Sequence, residues 1–476
     1  MSILNRGGII SGKSCALPKI FRVGMKEPLA LVIVCLCFFQ AVCGWNWELW
    51  REYEKVLLSL RWELPLGLML WCGMFVFLTF RWRDVVLIGL LGMGLGMLLF
   101  CGESRSTLSA LVLLTGTTLG KGICFALKSG RQIGGNKKYL TGLIGVLVFA
   151  SWWHLDLPGA YHGPRWMGLW NNPNIYGMLM GAGVVLSAGL LLADSRWQMA
   201  DRGNTRSQKP EVRSQNQAGA ANSKFKIQNS KLFWFLIVAV GIMVVGLAMS
   251  YSRGAWTATI VALLYLAWSY GKLKWRFVVP VVLVAAVVVA VFWHATADTD
   301  PWYLKRLDLS RPSAQHRVSA WRGAIQMMRD HPLGVGWNQA VSVYDKSYSP
   351  PEGGAAALTM NSYLMLGTEL GLPGLVCFVA YVGLCFRKSP RLHLTKNLNL
   401  EKRIPHPGPL PIGSADSAEA ETEKLVASHS SLRAACLAGA LVFVVAFWFD
   451  GGLFDLPTAA MFWVLIELGV SRGEEG

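Results

Sequence analysis

The chain has 476 residues, of which 53% are hydrophobic and 15% are charged, and its mean hydropathy is +0.40. This composition is too apolar for an ordinary soluble domain and indicates a membrane protein. The formal net charge of +17 follows the pattern of membrane orientation described below, so it is not interpreted as nucleic-acid binding.

Long uncharged runs fill most of the chain. A run of about 17 to 25 apolar residues can cross the hydrocarbon core of a bilayer, roughly 30 Å, as one helix. The sequence contains twelve such runs, which predicts an all-α, polytopic transmembrane helical bundle. The runs are residues 28–44, 64–80, 85–101, 106–127, 139–153, 174–192, 232–250, 255–271, 277–293, 361–386, 432–449 and 454–470.

Basic residues set the predicted orientation. With the amino terminus in the cytoplasm, 31 of the 45 Lys and Arg fall in cytoplasmic segments and 13 fall in outer segments. Cytoplasmic loops of membrane proteins are enriched in Lys and Arg. We therefore predict a multi-pass protein with both termini in the cytoplasm.

Composition divides the chain into five parts. Residues 1–193 form an amino-terminal half with six spans, residues 232–386 form a core that includes the outer loop 295–360, and residues 432–476 form the last two spans and the tail. Residues 194–231 and 387–431 are rich in polar residues or proline. Because they contain little apolar surface to bury, both are predicted to be flexible cytoplasmic loops.

The outer loop 295–360, which precedes the tenth span, is unexpectedly basic. Basic residues are normally scarce in outer loops of membrane proteins, so these cations are expected to bind an anion. Arg317 and Trp321 lie four residues apart and are predicted to share one face of a short helix. Arg322 and Arg329 are expected to face water or lipid head groups. The basic residues of the loop are Lys305, Arg306, Arg311, Arg317, Arg322, Arg329 and Lys346.

Two more arginines lie at predicted outer ends of spans. Arg253 follows Ser252 and precedes Gly254 in the short turn between the seventh and eighth spans. Arg165 precedes the run Asn172-Pro173-Asn174, which is typical of a helix start. A guanidinium offers a planar fork of donors suited to phosphate oxygens, although an arginine that snorkels to the interface gives the same pattern.

In their order along the chain, these segments resemble the O-antigen ligase and polymerase superfamily of membrane glycan transferases. Order and spacing match over residues 163–381, and the layout of twelve spans with one large outer loop matches as well. The motifs are Arg165 to Asn174, Ser252-Arg253-Gly254, Arg317 with Trp321, His331 to Gly336, Asn361 to Leu364, and Glu369 to Gly374.

The resemblance implies a substrate and a location. The donor would be an undecaprenyl-diphosphate-linked glycan at the outer face of the bacterial inner membrane, among membrane lipids, and the acceptor would be a sugar hydroxyl of a glycan or lipid. No metal and no cofactor is implied, and the ten cysteines show no metal-ligand spacing. Arg253 and Arg317 would stabilise the leaving diphosphate. Further substrate-binding candidates are Arg165, Asn172, Asn174, Ser252, Arg322, Asn361 and Glu369.

One position departs from the family pattern. The family commonly has a histidine, the proposed general base, where this chain has Met360, and a thioether cannot take a proton. Either His316 or His331 acts instead, or the transition state tolerates a weak base, or the chain is a diverged inactive member. Glu369 lies inside the tenth span, where Gly371 and Pro373 are predicted to bend the helix.

We expect a ligase-related enzyme of surface polysaccharide biosynthesis, although the sequence does not separate a ligase from a polymerase, and a transporter is the alternative from a different class. A polymerase of the same superfamily would join repeat units of O-antigen or exopolysaccharide. A transporter of polysaccharide or an anionic lipid would use the same cations without breaking a bond, but it would carry them along a whole path, whereas here they concentrate on the outer side.

Overall fold

The computed structural model describes residues 83–101, 106–129, 134–152, 161–163, 165–170, 172–207, 215–270, 312–349, 361–387 and 415–470. The first six helices are α1 (Asp84–Cys101), α2 (Ser106–Ser129), α3 (Gly134–Trp152), α4 (Pro173–Ser207), α5 (Gln215–Met249) and α6 (Arg253–Ser269). The remaining six are α7 (Pro312–Asp330), α8 (Ala340–Ser347), α9 (Ser362–Glu369), α10 (Gly371–Arg387), α11 (Ala415–Ala446) and α12 (Leu456–Val470). The predicted all-α class is confirmed for these residues.

Within the described ranges, one short hairpin contains paired β-strands. Strand β1 (Tyr161–His162) pairs antiparallel with β2 (Arg165–Trp166), with Tyr161 opposite Trp166. Gly163, between them, has φ +61°, a left-handed conformation that glycine adopts without steric cost. A 3₁₀ turn over Gly168–Trp170 follows the hairpin and leads into α4, so Arg165 lies close to the start of that helix.

Helices α4 and α11 form the centre of the bundle. Helix α4 packs against α3, α5, α6 and α11, and α11 also packs against α6 and α12, while α2 covers α12. Small residues allow this close approach. A methyl group at Gly189 of α4 would collide with the side chain of Ala435 on α11, and one at Gly469 of α12 would lie 2.6 Å from Cγ of Leu437.

Two helices of the described residues are long and apolar enough to cross a bilayer by themselves. They are Pro173–Ala193 in α4, 83% of which is buried, and Leu232–Met249 in α5, 22% of which is buried. Helix α4 is thus a central helix, whereas α5 turns an apolar surface outward. Nine predicted spans coincide with helices, and residues 28–44, 64–80 and 277–293 lie outside the described ranges, so the total of twelve stays a prediction.

Helices extend into both segments that composition predicted as flexible loops. Helix α4 continues to Ser207, α5 begins at Gln215 and α11 begins at Ala415. A polar segment cannot form a hydrophobic core, but Ala, Gln, Lys and Glu are good helix formers that can extend an existing helix.

The predicted bend in the tenth span is confirmed as a break between α9 and α10. Gly371 has φ +75° and faces Gly334, which has φ +88°. A methyl group at Gly334 would lie 2.6 Å from the backbone nitrogen of Gly371, so the two segments of the chain are in direct backbone contact. The N–H of Val335 donates to the carbonyl of Thr368 at 2.9 Å, and the N–H of Leu372 donates to the carbonyl of Pro332 at 2.9 Å. We call this contact the glycine junction; it fixes the end of α7 to the span.

Trp337 ties the segment after α7 to the first described helix. Its ring is fully buried, and its indole N–H donates to the carbonyl oxygen of Gly94 in α1 at 2.7 Å. The ring also packs edge-on against Phe454, with 6.0 Å between ring centroids. The segment after α7 is therefore held at two points, the contact with Gly94 and the glycine junction.

A buried group of four charges lies at the other end of the bundle. Arg83 pairs with Glu467 at 2.6 Å, and Lys121 pairs with Asp84 at 2.6 Å and with Glu467 at 3.1 Å. The hydroxyl of Tyr381 also donates to Glu467. Two cations meet two anions, so the group is neutral, and it joins α1, α2, α10 and α12. We call it the ion network.

Replacing Glu467 with Gln is expected to destabilise the protein by about 3–5 kcal/mol, because it leaves buried positive charge without compensation. Thermal unfolding of the purified protein in detergent measures this. The double variant Arg83→Met with Glu467→Gln keeps the Lys121 and Asp84 pair and should recover most of the loss. A single variant as stable as the native protein would contradict the role assigned to the network.

Candidate functional site

Residues 447–455 join α11 to α12, and we call them the Asp450 turn. Helical hydrogen bonds continue into it, since the N–H groups of Phe449 and Asp450 both donate to the carbonyl of Ala446, at 2.8 and 3.1 Å. A 3₁₀ turn over Gly452–Phe454 then leads into α12. Asp450 is only 7% exposed, and its charge interacts with that of Asp455 at the end of the turn.

Asn174 and Arg165 reach Asp450 from the start of α4. The side-chain amide of Asn174 donates to Oδ2 of Asp450 at 2.6 Å, and Nη2 of Arg165 donates to Oδ1 of Asn174 at 2.9 Å. Nε of Arg165 donates to the carbonyl of Ser250 at 2.9 Å. Oδ1 of Asn172 accepts the backbone N–H of Asn174 at 2.9 Å, which fixes the helix start. These bonds form a relay from Arg165 through Asn174 to Asp450.

The motif Ser252-Arg253-Gly254 brings the start of α6 to the same turn. Ser252 is the N-cap, because its hydroxyl accepts the N–H of Ala255. A methyl group at Gly254 would lie 2.8 Å from Cβ of Phe449, so only glycine permits this approach. Arg253 is exposed as the first residue of the helix, where the helix dipole adds to its positive charge.

Helix α7 places Arg317 and Trp321 against the Asp450 turn. Arg317 is partly buried, and its charge acts on Asp450 together with that of Arg165. The ring of Trp321 packs edge-on against Trp448, with 5.8 Å between ring centroids. Both residues therefore meet the turn from one helix, as their four-residue spacing predicted.

The start of α9 also contacts the Asp450 turn. Oδ1 of Asn361 caps the helix by accepting the N–H groups of Tyr363 and Leu364, at 3.0 and 3.1 Å. The hydroxyl of Ser362 donates to the carbonyl of Asp450 at 2.9 Å and accepts the N–H of Leu453 at 3.2 Å. Nδ2 of Asn361 is buried and has no hydrogen-bond partner among the described residues. Met360 lies just outside them.

The environment of Asp450 decides its affinity for a proton. Burial raises the pKa of Asp450 above that of a free carboxyl group. The hydrogen bonds from Asn174 and from the N–H of Gly451, and the charges of Arg317 and Arg165, lower the pKa, but burial prevails. Asp450 is therefore a stronger base than an exposed aspartate.

Several predicted site residues lie elsewhere in the structure or outside the described residues. Arg322 is exposed on a different face of α7 from Arg317, and His331 is exposed just after the end of that helix. Glu369 is 2% exposed and belongs to the glycine junction, where its carbonyl accepts the N–H of Gly336 at 3.1 Å. The side chain of His316, like Lys305, Arg306 and Arg311, falls outside what the structure describes.

Asp450 is the central residue that the sequence reading missed. A signal was present, since an acid followed by two glycines interrupts two apolar spans, and acids at membrane depth are costly unless they have partners. Its partner Asn174 stands 276 residues away, however, so no local pattern could connect the two.

The arrangement suits an anion next to a proton acceptor. Arg165 and Arg317 act on the buried carboxylate of Asp450, and Arg253 starts α6, whose Gly254 packs against Phe449 of the same turn. Among the described residues, no group of three or more His, Cys, Asp or Glu side chains could hold a metal ion.

Replacing Gly254 with Ala is expected to destabilise the protein by about 1–3 kcal/mol, because the added methyl group overlaps Phe449. Thermal unfolding in detergent measures the effect. Gly241→Ala is the matched control, since a methyl group there meets nothing within 4 Å and should be neutral or stabilising in a helix. Equal unfolding temperatures for the two variants would contradict the contact.

Comparison with known proteins adds one finding. Residues 238–379 match the family described as O-antigen ligase, a segment that contains Arg253, Arg317, the glycine junction and the start of α9. No curated protein matches the chain. The match confirms the resemblance that the motifs predicted and identifies residues 238–379 as the part of this chain that carries the O-antigen ligase signature.

Proposed function

We propose that this protein is a membrane glycan transferase of the O-antigen ligase type. It would transfer a glycan from undecaprenyl diphosphate to a sugar hydroxyl of a glycan or lipid acceptor, at the outer face of the bacterial inner membrane. The observation that carries the proposal is that Arg165 and Arg317 act on Asp450, and that Arg253 starts α6, whose Gly254 packs against Phe449 of the same turn. The family match, which includes two of these arginines, supports a glycan linked to a lipid as the donor.

The arginines would act on the leaving group. When the bond between the anomeric carbon and the diphosphate oxygen breaks, the diphosphate keeps the electron pair and gains negative charge. Fixed cations close to a low-dielectric boundary stabilise that charge without reorganising. Arg253 and Arg317 fill this role, while Arg165, whose donors bond Asn174 and the carbonyl of Ser250, organises the site.

Asp450 would accept the proton of the acceptor hydroxyl. As the acceptor oxygen bonds to the anomeric carbon, its proton passes to the Asp450 carboxylate, which the bond from Asn174 holds in place. Each carboxylate oxygen has two lone pairs, so that bond leaves capacity for another donor. This assignment supplies a base to a chain that has Met360 where the family commonly has histidine.

Deleting the gene tests the function and separates the related activities. A ligase leaves long polymer on the lipid carrier, and a polymerase leaves single repeat units. Complementation with Arg253→Ala or Arg317→Ala should restore less than about one hundredth of the transfer rate, because each removes a charge that the transition state needs.

Lys346→Ala is the control for these variants, since Lys346 is an exposed cation of the same outer loop on α8, and it should restore normal glycans. Gel analysis and mass spectrometry of carrier-linked and surface glycans provide the measurement. Full activity of both arginine variants, with normal membrane insertion, would refute the mechanism.

Asp450→Asn is expected to slow transfer by about 100- to 10,000-fold, because it removes the general base. In the native protein, the rate should rise with pH through the raised pKa of Asp450 and level off above it, since only the carboxylate accepts a proton. Membrane vesicles supplied with the glycan that accumulates in the deletion strain allow both measurements. Asp345→Asn, an exposed acid on α8, is the control, and a native pH profile in Asp450→Asn would exclude this role.

A further inference from the structure

One face of α7 carries an exposed ridge that the proposed reaction does not use. It consists of Val318, Arg322, Ile325 and Arg329, and Val318 and Ile325 are 54% and 45% exposed. Steps of four, three and four residues along a helix of 3.6 residues per turn place all four side chains within a sector of about 60°. We call this set the α7 ridge.

Among the residues that the structure describes, none covers this ridge. The opposite face of α7, with Ala324 and Met327, packs against Tyr344 of α8 and Leu364 of α9. Within the described ranges, neither Arg322 nor Arg329 has a hydrogen-bond or ion-pair partner. The neighbouring acid, Asp330, instead accepts a hydrogen bond from the hydroxyl of Tyr348 at 2.8 Å. The ridge therefore presents two cations and two apolar side chains with no acid among them.

The ridge continues an apolar surface of the tenth span. Leu333, which is 70% exposed, follows Arg329 by four residues. At the glycine junction the N–H of Leu372 donates to the carbonyl of Pro332, so Leu333 stands at the head of α10. There Leu372, Val376 and Val379 form an exposed apolar stripe, which faces lipid in the predicted span. The carboxyl end of the α7 ridge and the amino end of that stripe therefore lie on either side of the glycine junction.

We propose that the α7 ridge binds the outer surface of the bilayer through anionic phospholipid head groups. Val318, Ile325 and Leu333 would insert at the boundary between head groups and acyl chains, and the guanidinium groups of Arg322 and Arg329 would bind lipid phosphates. Amphipathic helices with this alternation of basic and apolar side chains lie in the interface plane. The bilayer would then fix the height of α7, whose other side presents Arg317 to the Asp450 turn. The inference needs only the membrane and is independent of the reaction proposed above.

Photocrosslinking in bilayers of known composition tests this binding. The full-length protein, with p-benzoylphenylalanine in place of Ile325, is placed in nanodiscs of phosphatidylcholine or of an equal mixture with phosphatidylglycerol, and adducts are identified by mass spectrometry. The control carries the same group in place of Ser342, an exposed residue of α8. We expect lipid adducts at position 325 and none at position 342. Equal yields at the two positions, no lipid adduct at 325, or capture of a second copy of the chain would overturn the proposal.

The charge requirement has its own test in the same nanodiscs. Phosphatidylglycerol should raise the lipid adduct yield at position 325, since each arginine near an anionic surface strengthens binding about fivefold. The pair Arg322→Gln with Arg329→Gln should abolish this increase, whereas Lys346→Gln should keep it. An increase that survives loss of both arginines would show that anionic head groups do not bind the ridge.

Discussion

Burying a carboxylate is costly unless donors and cations replace the water that it loses, and Asp450 gathers such groups at its end of the bundle. Asn174 of α4 donates to it, Arg165 of the β-hairpin supports Asn174, and Arg317 of α7 adds positive charge. Ser362 of α9 holds the backbone of the same turn. Elements that are distant in sequence therefore meet at this one turn.

The ion network and the Asp450 turn differ in their balance of charge. The ion network has two cations and two anions in mutual contact, so its charges compensate one another within the fold and its role is structural. At the Asp450 turn, Arg253 starts α6, whose Gly254 packs against Phe449. Two cations, Arg165 and Arg317, act on the single carboxylate of Asp450, which leaves an excess of one positive charge among these three groups. An incoming diphosphate would more than offset this excess. In the proposed function, this difference in charge balance separates an anion-binding site from a group that holds helices together.

The sequence predicted what depends on local pattern. The helix break at Gly371 and the shared face of Arg317 and Trp321 follow from backbone preference and helical spacing. Pairs that close across the bundle could not be predicted, because Asn174 with Asp450 and Trp337 with Gly94 join residues 276 and 243 positions apart. The polar composition of the predicted loops excludes a hydrophobic core but does not exclude helix, and helices extend part of the way into both segments.

Helix α7 is the element that links these features. Its carboxyl end is fixed to the tenth span by the glycine junction, and Trp337 anchors the following segment to α1. With one side on the Asp450 turn and the ridge on the bilayer surface, α7 would hold Arg317 at the level where the diphosphate of a lipid carrier leaves the hydrocarbon core. A rigid position matters because fixed charges stabilise a developing anion best when they need not move. The proposed membrane contact and the proposed chemistry thus both require α7 to hold a fixed position.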